Sequence, residues 1–215
     1  CSLTTAPDLH GSPGVTGMVG HYEALEREAG IALLLHAREV LAARGVARVL
    51  GPLNGSTWAR YRLLPPPAPE DPAFDPPPFL GEPRNPLEYP EQFEAAGFEV
   101  VSRYESRIDE APGEDAADAP QLAARVRSEG VRIRPLDPGR FDDELRTLFD
   151  VSLEAFAENP YYAPIDFDAF RRMYESIRPL IDPGLVLIAE DARGAPLGFQ
   201  FAFLDPLSRR NERPT

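Results

Sequence analysis

The sequence predicts an α/β protein with a mixed α+β sheet, and three observations lead to that class. Short runs of β-type residues alternate with helix-type segments over residues 15–108. A second region, residues 131–205, shows a strand, two helices and then two strands around a turn. Stretches rich in Pro, or in Ala and Asp, separate these patterned segments. This alternation is typical of α/β and α+β domains rather than of all-helical or all-β ones.

The first region begins with a predicted β-α-β unit. Small and apolar residues predict a strand over 15–23, which its glycines weaken. Apolar residues at three- and four-residue spacing predict a helix over 26–44, and Gly45 is placed to end it. A β-type run then predicts a short strand over 46–50.

A proline-dense stretch interrupts this region. Each proline in residues 65–79 removes a backbone donor and fixes φ, so we expect an extended surface excursion there. Pro90 suits the first turn of a helix over 89–96, which Gly97 ends. Residues 98–108 follow as a predicted strand.

The second region restarts the pattern after residues 111–130, whose first half is Ala- and Asp-rich and whose second half, "PQLAARVRSEG", is a predicted helix. We expect residues 111–120 to be exposed and mobile because they contain almost nothing to bury. The elements that follow are two helices flanked by three strands: strand 131–136, helices 141–157 and 167–181, and a hairpin of strands 185–190 and 196–204.

The composition restricts the class of partner. Lys and Arg number 22 against 35 Asp and Glu, which gives a formal net charge of −13. Nucleic acids and anionic membranes both bind basic surfaces, so we expect neither as a partner. The single cysteine, Cys1, cannot form an internal disulfide, and no apolar run is long enough to span a bilayer, which together favour a cytoplasmic protein.

Two segments resemble the GNAT N-acetyltransferase fold: "EQFEAAGFEVVSRY" at 91–104 and "LVLIAEDARGAPLGFQFAF" at 185–203. In this resemblance, residues 15–108 are similar to the closing half of a GNAT module and residues 131–205 to its opening half. The resemblance implies that the chain is the middle of a tandem GNAT-like protein. Its predicted organisation is the C-terminal half of one module over 1–110, a linker over 111–130, and the N-terminal part of a second module over 131–215.

The resemblance implies acetyl-CoA as the acyl donor of the full-length protein. In the family, a glycine-rich loop at a helix N-terminus offers backbone N–H groups to the pyrophosphate. The matching segment, "GHYEALEREAG" at 20–30, lacks that glycine pattern and places Glu26 and Glu28 where phosphates would sit. We therefore expect the 215-residue chain to bind acetyl-CoA weakly or not at all, and a longer protein with the rest of the second module to gain binding.

The resemblance also implies two catalytic residues. The family's usual general acid is a tyrosine, but the matching position before Gly97 is Phe93, which has no proton to donate. Tyr89 lies one helical turn earlier and is the substitute. Glu23, which we expect beside His21 on one face of a strand, lies near the place of the family's general base. Packing is the alternative role for Tyr89, and solvation of a strand face is the alternative for Glu23.

The segment "GPLNGSTWARYRLL", residues 51–64, contains the only tryptophan and follows directly on a strand. In α/β layers the C-terminal end of a strand is a common place for a ligand crevice. From this segment and from "EPRNPLEY" at 82–89 we predict five substrate-binding residues: Asn54, Ser56, Trp58, Glu82 and Asn85. The alternative is that both segments only cap the end of the sheet.

Two functions remain open at this point. The first is an acyl-CoA-dependent N-acyltransferase that acts on a small-molecule amine or a peptide amine. The second is a non-catalytic GNAT-like module that binds a ligand or supports a partner domain. The sequence contains no Ser/His/Asp, Walker or dinucleotide motif, and the spacing around its histidines indicates no metal site.

Overall fold

The structure is a computed structural model that describes residues 1–67, 81–107, 109 and 118–205. Most of the predicted proline-rich excursion, residues 65–79, lies outside these ranges, and so does most of the 111–120 segment that we expect to be mobile. The described residues are mixed α and β, with two three-stranded sheets, in agreement with the predicted class. No helix in the described ranges is both long and apolar enough to cross a bilayer.

The chain divides into two compact units. Unit 1 contains Cys1–Val101, Ala157–Ala163 and the chain end from Asp205, and unit 2 contains Ser102–Phe156 and Pro164–Leu204. The assignment of these parts to two GNAT-like modules remains a prediction.

The sheet of unit 1 has the order β1-β2-β3. Strand β1 (Ser2–Ala6) pairs antiparallel with β2 (Thr16–Gly20), and β3 (Arg48–Leu50) pairs parallel with β2. Helix α1 (Arg27–Ala43) connects the two parallel strands, as a crossover connection requires. The C-terminal ends of β2 and β3 therefore meet at one edge of the sheet.

The core of unit 1 lies between this sheet and two helices. The face of α1 that carries Leu34, Ala37 and Leu41 is buried, as its apolar spacing predicts. Helix α2 (Tyr89–Ala95) adds Phe93 to the same cluster. Pro90 lies in the first turn of α2, and the helix ends immediately before Gly97, as predicted.

Unit 2 contains a sheet of order β4-β5-β6 with all neighbours antiparallel. Leu145 and Leu148 of its longest helix are fully buried, which confirms the spacing argument for that helix. The elements of the unit, in chain order, are α3 (Ala119–Ser128), β4 (Arg132–Pro135), α4 (Phe141–Ala155), α5 (Phe167–Ile177), β5 (Val186–Glu190) and β6 (Pro196–Phe201). The predicted hairpin is present, with its turn closed by Asp191.

The predicted strand over 98–108 is wrong. Residues 98–107 have no regular secondary structure, and residue 108 lies outside the described ranges. Val100 and Val101 are 59% and 63% exposed, so these adjacent apolar residues do not form a buried strand face. A β-strand needs a hydrogen-bonded neighbour, and local sequence does not show whether one is present.

The predicted strand over 15–23 also extends too far, because β2 ends at Gly20. His21 adopts a left-handed backbone with φ 47° and turns the chain away from the sheet. His21 and Glu23 therefore do not share a strand face. Strand β1 was not predicted from the sequence, although it pairs with β2 along its whole length from Ser2 to Ala6.

Candidate functional site

The candidate site lies where the chain leaves β2 and β3 at their C-terminal ends. The backbone N–H of His21 donates to Asn54 Oδ1 at 2.7 Å, so the two departing segments are joined. Gly20 allows this close approach, because a Cβ at that position would lie 2.6 Å from the Leu53 carbonyl oxygen. Asn54, one of the predicted substrate-binding residues, thus lies beside the segment that carries Glu23.

Tyr89 and Glu23, the two predicted catalytic residues, lie in direct contact. The Tyr89 hydroxyl donates to Glu23 Oε2 at 2.9 Å and accepts from the backbone N–H of Ala24 at 3.0 Å. Tyr89 is buried, with 3% of its surface exposed, whereas Glu23 is exposed. The Glu23 carboxylate therefore lies at the surface, and the buried Tyr89 hydroxyl binds one of its oxygens.

Tyr22 and Gln92 form a second, fully buried layer behind this pair. The Tyr22 hydroxyl donates to Gln92 Oε1, and the Tyr22 ring meets the Tyr89 ring edge-on at a centroid distance of 4.8 Å. Gly30 of α1 packs against this hydrogen bond, because a Cβ there would overlap both the Tyr22 hydroxyl and Gln92 Oε1. Only glycine fits this position without displacing one of the two side chains.

Burial keeps both tyrosines protonated. Loss of water, together with the neighbouring Tyr89, raises the pKa of Tyr22 to about 12. Burial is also the main reason that the pKa of Tyr89 is raised, and the hydrogen bond to the Glu23 carboxylate adds to the rise. At neutral pH the Tyr89 hydroxyl is therefore a hydrogen-bond donor to Glu23.

The N-terminus of α1 borders the site but carries acidic groups. Glu26 is its N-cap and makes no side-chain capping bond, and Glu28 lies in its first turn. Arg27 turns instead to Glu91 of α2, with Nη2 2.6 Å from Glu91 Oε1. Carboxylates at a helix N-terminus oppose a bound diphosphate, so these residues do not fit the acyl-CoA pyrophosphate implied by the resemblance.

Ser56 and Trp58 make local contacts in a turn. Ser56 Oγ accepts from the backbone N–H of Trp58 at 3.3 Å. The indole Nε1 of Trp58 donates to the carbonyl of Ala163 at 3.0 Å, and its ring lies 5.9 Å from that of Tyr162. Trp58 thus joins the 157–163 segment to the rest of unit 1. The predicted substrate contacts of Ser56 and Trp58 remain predictions.

Glu82 and Asn85 form hydrogen bonds with Arg62 and Leu64, which follow the turn that contains Ser56 and Trp58. Glu82 Oε1 accepts from Arg62 Nη2 at 3.0 Å. Asn85 accepts from the backbone N–H of Leu64 at 2.7 Å and donates to the Leu64 carbonyl at 3.1 Å. These bonds hold residues 61–67 against residues 81–88, which is a structural role whether or not a ligand also binds there.

Tyr22 and Gln92 were missed by the sequence argument. Gln92 lies three residues after Tyr89 on the same short helix, so both project from one helical face. The available signal in the sequence was Gln92 itself, a polar residue three positions after Tyr89 and next to the apolar Phe93. Among the described residues, no group of three or more His, Cys, Asp or Glu side chains is arranged to hold a metal ion.

Comparison with known proteins gives one informative similarity. The chain is 28% identical over 159 residues to a protein named bacterial ceramide synthase from Caulobacter vibrioides (strain NA1000 / CB15N). The similarity covers 72% of this chain but 38% of that protein, so the chain spans well under half the length of its relative. No family model and no solved structure matches the chain.

Proposed function

We propose that the chain is part of an N-acyltransferase and that its unit 1 site receives the amine that is acylated. The observation that carries this proposal is the surface carboxylate of Glu23, held at one oxygen by the buried Tyr89 hydroxyl at 2.9 Å. The similarity to a protein named ceramide synthase supports the reaction class, because ceramide is the N-acylated form of an amino alcohol.

In this proposal Glu23 is the catalytic residue. An amine is protonated at neutral pH and attacks a carbonyl carbon only after it loses that proton. The ammonium group pairs with the exposed Glu23 carboxylate and releases one proton to solvent, which leaves the neutral amine. As the C–N bond forms and the C–S bond of the acyl thioester breaks, Glu23 accepts the second N–H proton, and the departing CoA thiolate takes up a proton from solvent.

Tyr89 is a positioning residue in the same scheme. Its ring is packed against Tyr22, and its hydroxyl is fixed from the other side by the Ala24 backbone N–H. A donor held in this way restrains the position of the Glu23 carboxylate. Glu23 therefore presents its second oxygen to an incoming amine at little further entropic cost.

We assign no step through acyl-CoA to unit 1. Glu26 and Glu28 at the start of α1 oppose a diphosphate, so the acyl donor of the proposed reaction would bind elsewhere in the whole protein. The protein in which to test the activity is therefore the product of the complete gene.

The first test measures CoA release from an acyl-CoA in the presence of a primary amine. We expect Glu23→Gln to lower kcat by about a hundredfold or more, the usual range for loss of a general base. Tyr89→Phe should lower kcat by less and leave KM nearly unchanged. Glu94→Gln, an exposed carboxylate of the same helix α2, is the matched control and should keep full activity. Full turnover by Glu23→Gln would contradict the proposed role.

The second candidate is the non-catalytic module, and the acidic start of α1 is the observation that favours it. It predicts that Glu23→Gln leaves CoA release by the whole protein unchanged. Calorimetry with acetyl-CoA tests the argument about the diphosphate separately. Micromolar binding by the 215-residue chain alone, about −8 kcal/mol, would show that residues 20–30 bind the diphosphate despite their charge.

A further inference from the structure

The side chain of Asn54 connects the two segments that leave β2 and β3. Its Oδ1 accepts from the backbone N–H of His21 at 2.7 Å. A backbone N–H can only donate, so the atom of Asn54 that faces it is the amide oxygen and not the amide nitrogen. This hydrogen bond therefore fixes the orientation of the Asn54 amide, and through it Asn54 acts on the backbone at His21.

The backbone of His21 has an uncommon conformation that needs support. Its φ of 47° lies in the left-handed region, which residues with a Cβ rarely adopt. The side chain is exposed, so burial of the ring does not hold the backbone in this conformation. Two hydrogen bonds hold it instead: the one to Asn54, and one between His21 Nδ1 and Ser2 Oγ at 2.8 Å.

The packing at the end of β2 shows how closely Asn54 is seated. A Cβ at position 20 would lie 2.8 Å from Asn54 Cα and 2.9 Å from Asn54 Oδ1. Any side chain there would push Asn54 away from the neighbouring His21, and glycine is the residue that allows this close approach. The hydrogen bond between Asn54 and His21 thus depends on Gly20.

Residues 21–24 are held at both ends. At the far end, the Tyr89 hydroxyl accepts from the backbone N–H of Ala24 at 3.0 Å and donates to Glu23 Oε2 at 2.9 Å. At the near end, the hydrogen bond from Asn54 holds the backbone where it turns away from the sheet. Glu23 therefore lies on a short segment that is fixed on one side by Asn54 and on the other by Tyr89.

We propose that Asn54 is a positioning residue of the Glu23 site. Its Oδ1 holds the His21 backbone in the left-handed conformation that brings Glu23 to the surface beside Tyr89. This role rests on the proposed function, in which Glu23 accepts a proton from the amine. It requires the acceptor oxygen of Asn54, whereas a direct bond from Asn54 to an acceptor atom of the substrate would use the amide N–H groups.

Kinetics of amine-dependent CoA release by the product of the complete gene test the proposal. We expect Asn54→Ala to lower kcat by about tenfold to a hundredfold, because a displaced base loses the geometry of proton transfer, and to leave KM for the amine nearly unchanged. Asn54→Asp keeps an acceptor oxygen but has no N–H group, so it should keep most of kcat. Full kcat in Asn54→Ala, or an equal loss in Asn54→Asp, would overturn the proposal.

Asp8→Ala is the matched control for the loss of such a bond. Asp8 Oδ1 also accepts from a backbone N–H, that of Gly14 at 3.0 Å, and it lies in the connection between β1 and β2. This variant removes the same kind of hydrogen bond from unit 1 without touching residues 21–24. It should keep the kcat of the parent, and a loss as large as that of Asn54→Ala would assign the effect to general loosening of the unit.

A measurement without turnover separates this inference from the proposed function. If the parent releases no CoA, the proposed function fails, but NMR on the 215-residue chain still reports the position of Glu23. We expect NOEs between the Tyr89 ring and the Glu23 side chain in the parent and in Asn54→Asp, and their loss in Asn54→Ala. Their absence from the parent, or their persistence unchanged in Asn54→Ala, would overturn the positioning role.

Circular dichroism checks that each variant folds. If Asn54→Ala does not fold, Asn54→Asp decides, since aspartate has nearly the size and shape of asparagine. The NOEs between Tyr89 and Glu23 should then persist in Asn54→Asp, and their loss from the folded variant would overturn the proposal.

Discussion

The two units bury polar groups by opposite means. In unit 1 the buried layer consists of neutral groups: the Tyr22 hydroxyl donates to Gln92, and Tyr89 donates outward to Glu23. In unit 2 the buried groups are charged, and Arg134 lies between Glu144 and Glu190. Neutral hydrogen bonds depend on close fit, whereas buried ion pairs depend on every charge having its partner. We therefore expect different kinds of substitution to lower the stability of the two units.

The largest effect should follow from removing the central charge of unit 2. Arg134→Met leaves the Glu144 carboxylate, 2% exposed, without the guanidinium that pairs with it in the structure. We expect a loss of about 3–5 kcal/mol in the free energy of unfolding, as for other broken buried pairs. Urea unfolding measures it.

The neighbouring arginine is the matched control for that change. Arg132 pairs with Glu190 as well, but its side chain is 69% exposed and Arg134 remains as the second partner. Arg132→Met should therefore cost about 1 kcal/mol or less. Equal losses in the two variants would mean that burial is not what makes the unit 2 network sensitive.

In unit 1 the largest effect should come from a single methyl group. Gly30→Ala places a Cβ against the Tyr22 hydroxyl and Gln92 Oε1, and we expect a loss of about 1–3 kcal/mol from overpacking. Gly198→Ala in β6, where a Cβ meets nothing within 4 Å, should change stability by about 0.5 kcal/mol or less. Addition of Tyr22→Phe to Gly30→Ala should recover part of the loss, because it removes one of the overlapping atoms.

These polar clusters also show where sequence reasoning stops. Helix α4 was predicted from its apolar spacing, because that pattern is local and directly visible in the chain. Glu144 lies on the same buried face as Leu145 and Leu148, yet its partner Arg134 comes from strand β4 and is shared with Glu190 of β5. A charged residue at an apolar helix position signals that a partner exists, but not which one.

At the Glu23 site, too, the sequence predicted some of the residues but not the residues that pack against them. The family resemblance implied catalytic roles for both Glu23 and Tyr89. The structure shows that these residues are in contact, although 66 positions separate them in the sequence. The resemblance did not predict that Gly30 and Gln92 lie behind them, because close packing between α1 and α2 is a tertiary property. The strand predicted over 98–108 failed for the same reason, since strand formation depends on a pairing partner.

Alkaline pH should affect unit 1 through Tyr22. Its pKa is raised from 10.0 to about 12 in the folded protein, mainly by burial. Unfolded chains therefore lose this proton first, and the stabilisation is present below pH 10 and lost as pH rises towards 12. We expect a fall of about 1 kcal/mol over this range after allowance for solvent screening. Tyr22→Phe should reduce the slope, whereas Tyr104→Phe, an exposed tyrosine of unit 2, should leave it unchanged.

The smallest effect should come from the ion pair of unit 1, and it separates charge from burial as the cause of the difference between the units. Arg27 and Glu91 lie 2.6 Å apart, as close as Arg132 and Glu190, but both side chains are about half exposed. The hydrogen bond from Arg27 lowers the pKa of Glu91 below 4.5, so its contribution is present above that pH and is lost as pH falls further. We expect Glu91→Gln to shift the unfolding midpoint less than Arg134→Met or Gly30→Ala does, and salt to remove the shift through screening. Unfolding of Glu91→Gln and the parent at low and high salt measures this. A loss as large as that of Arg134→Met would show that close ion pairing itself, rather than its burial, sets the stability of both units.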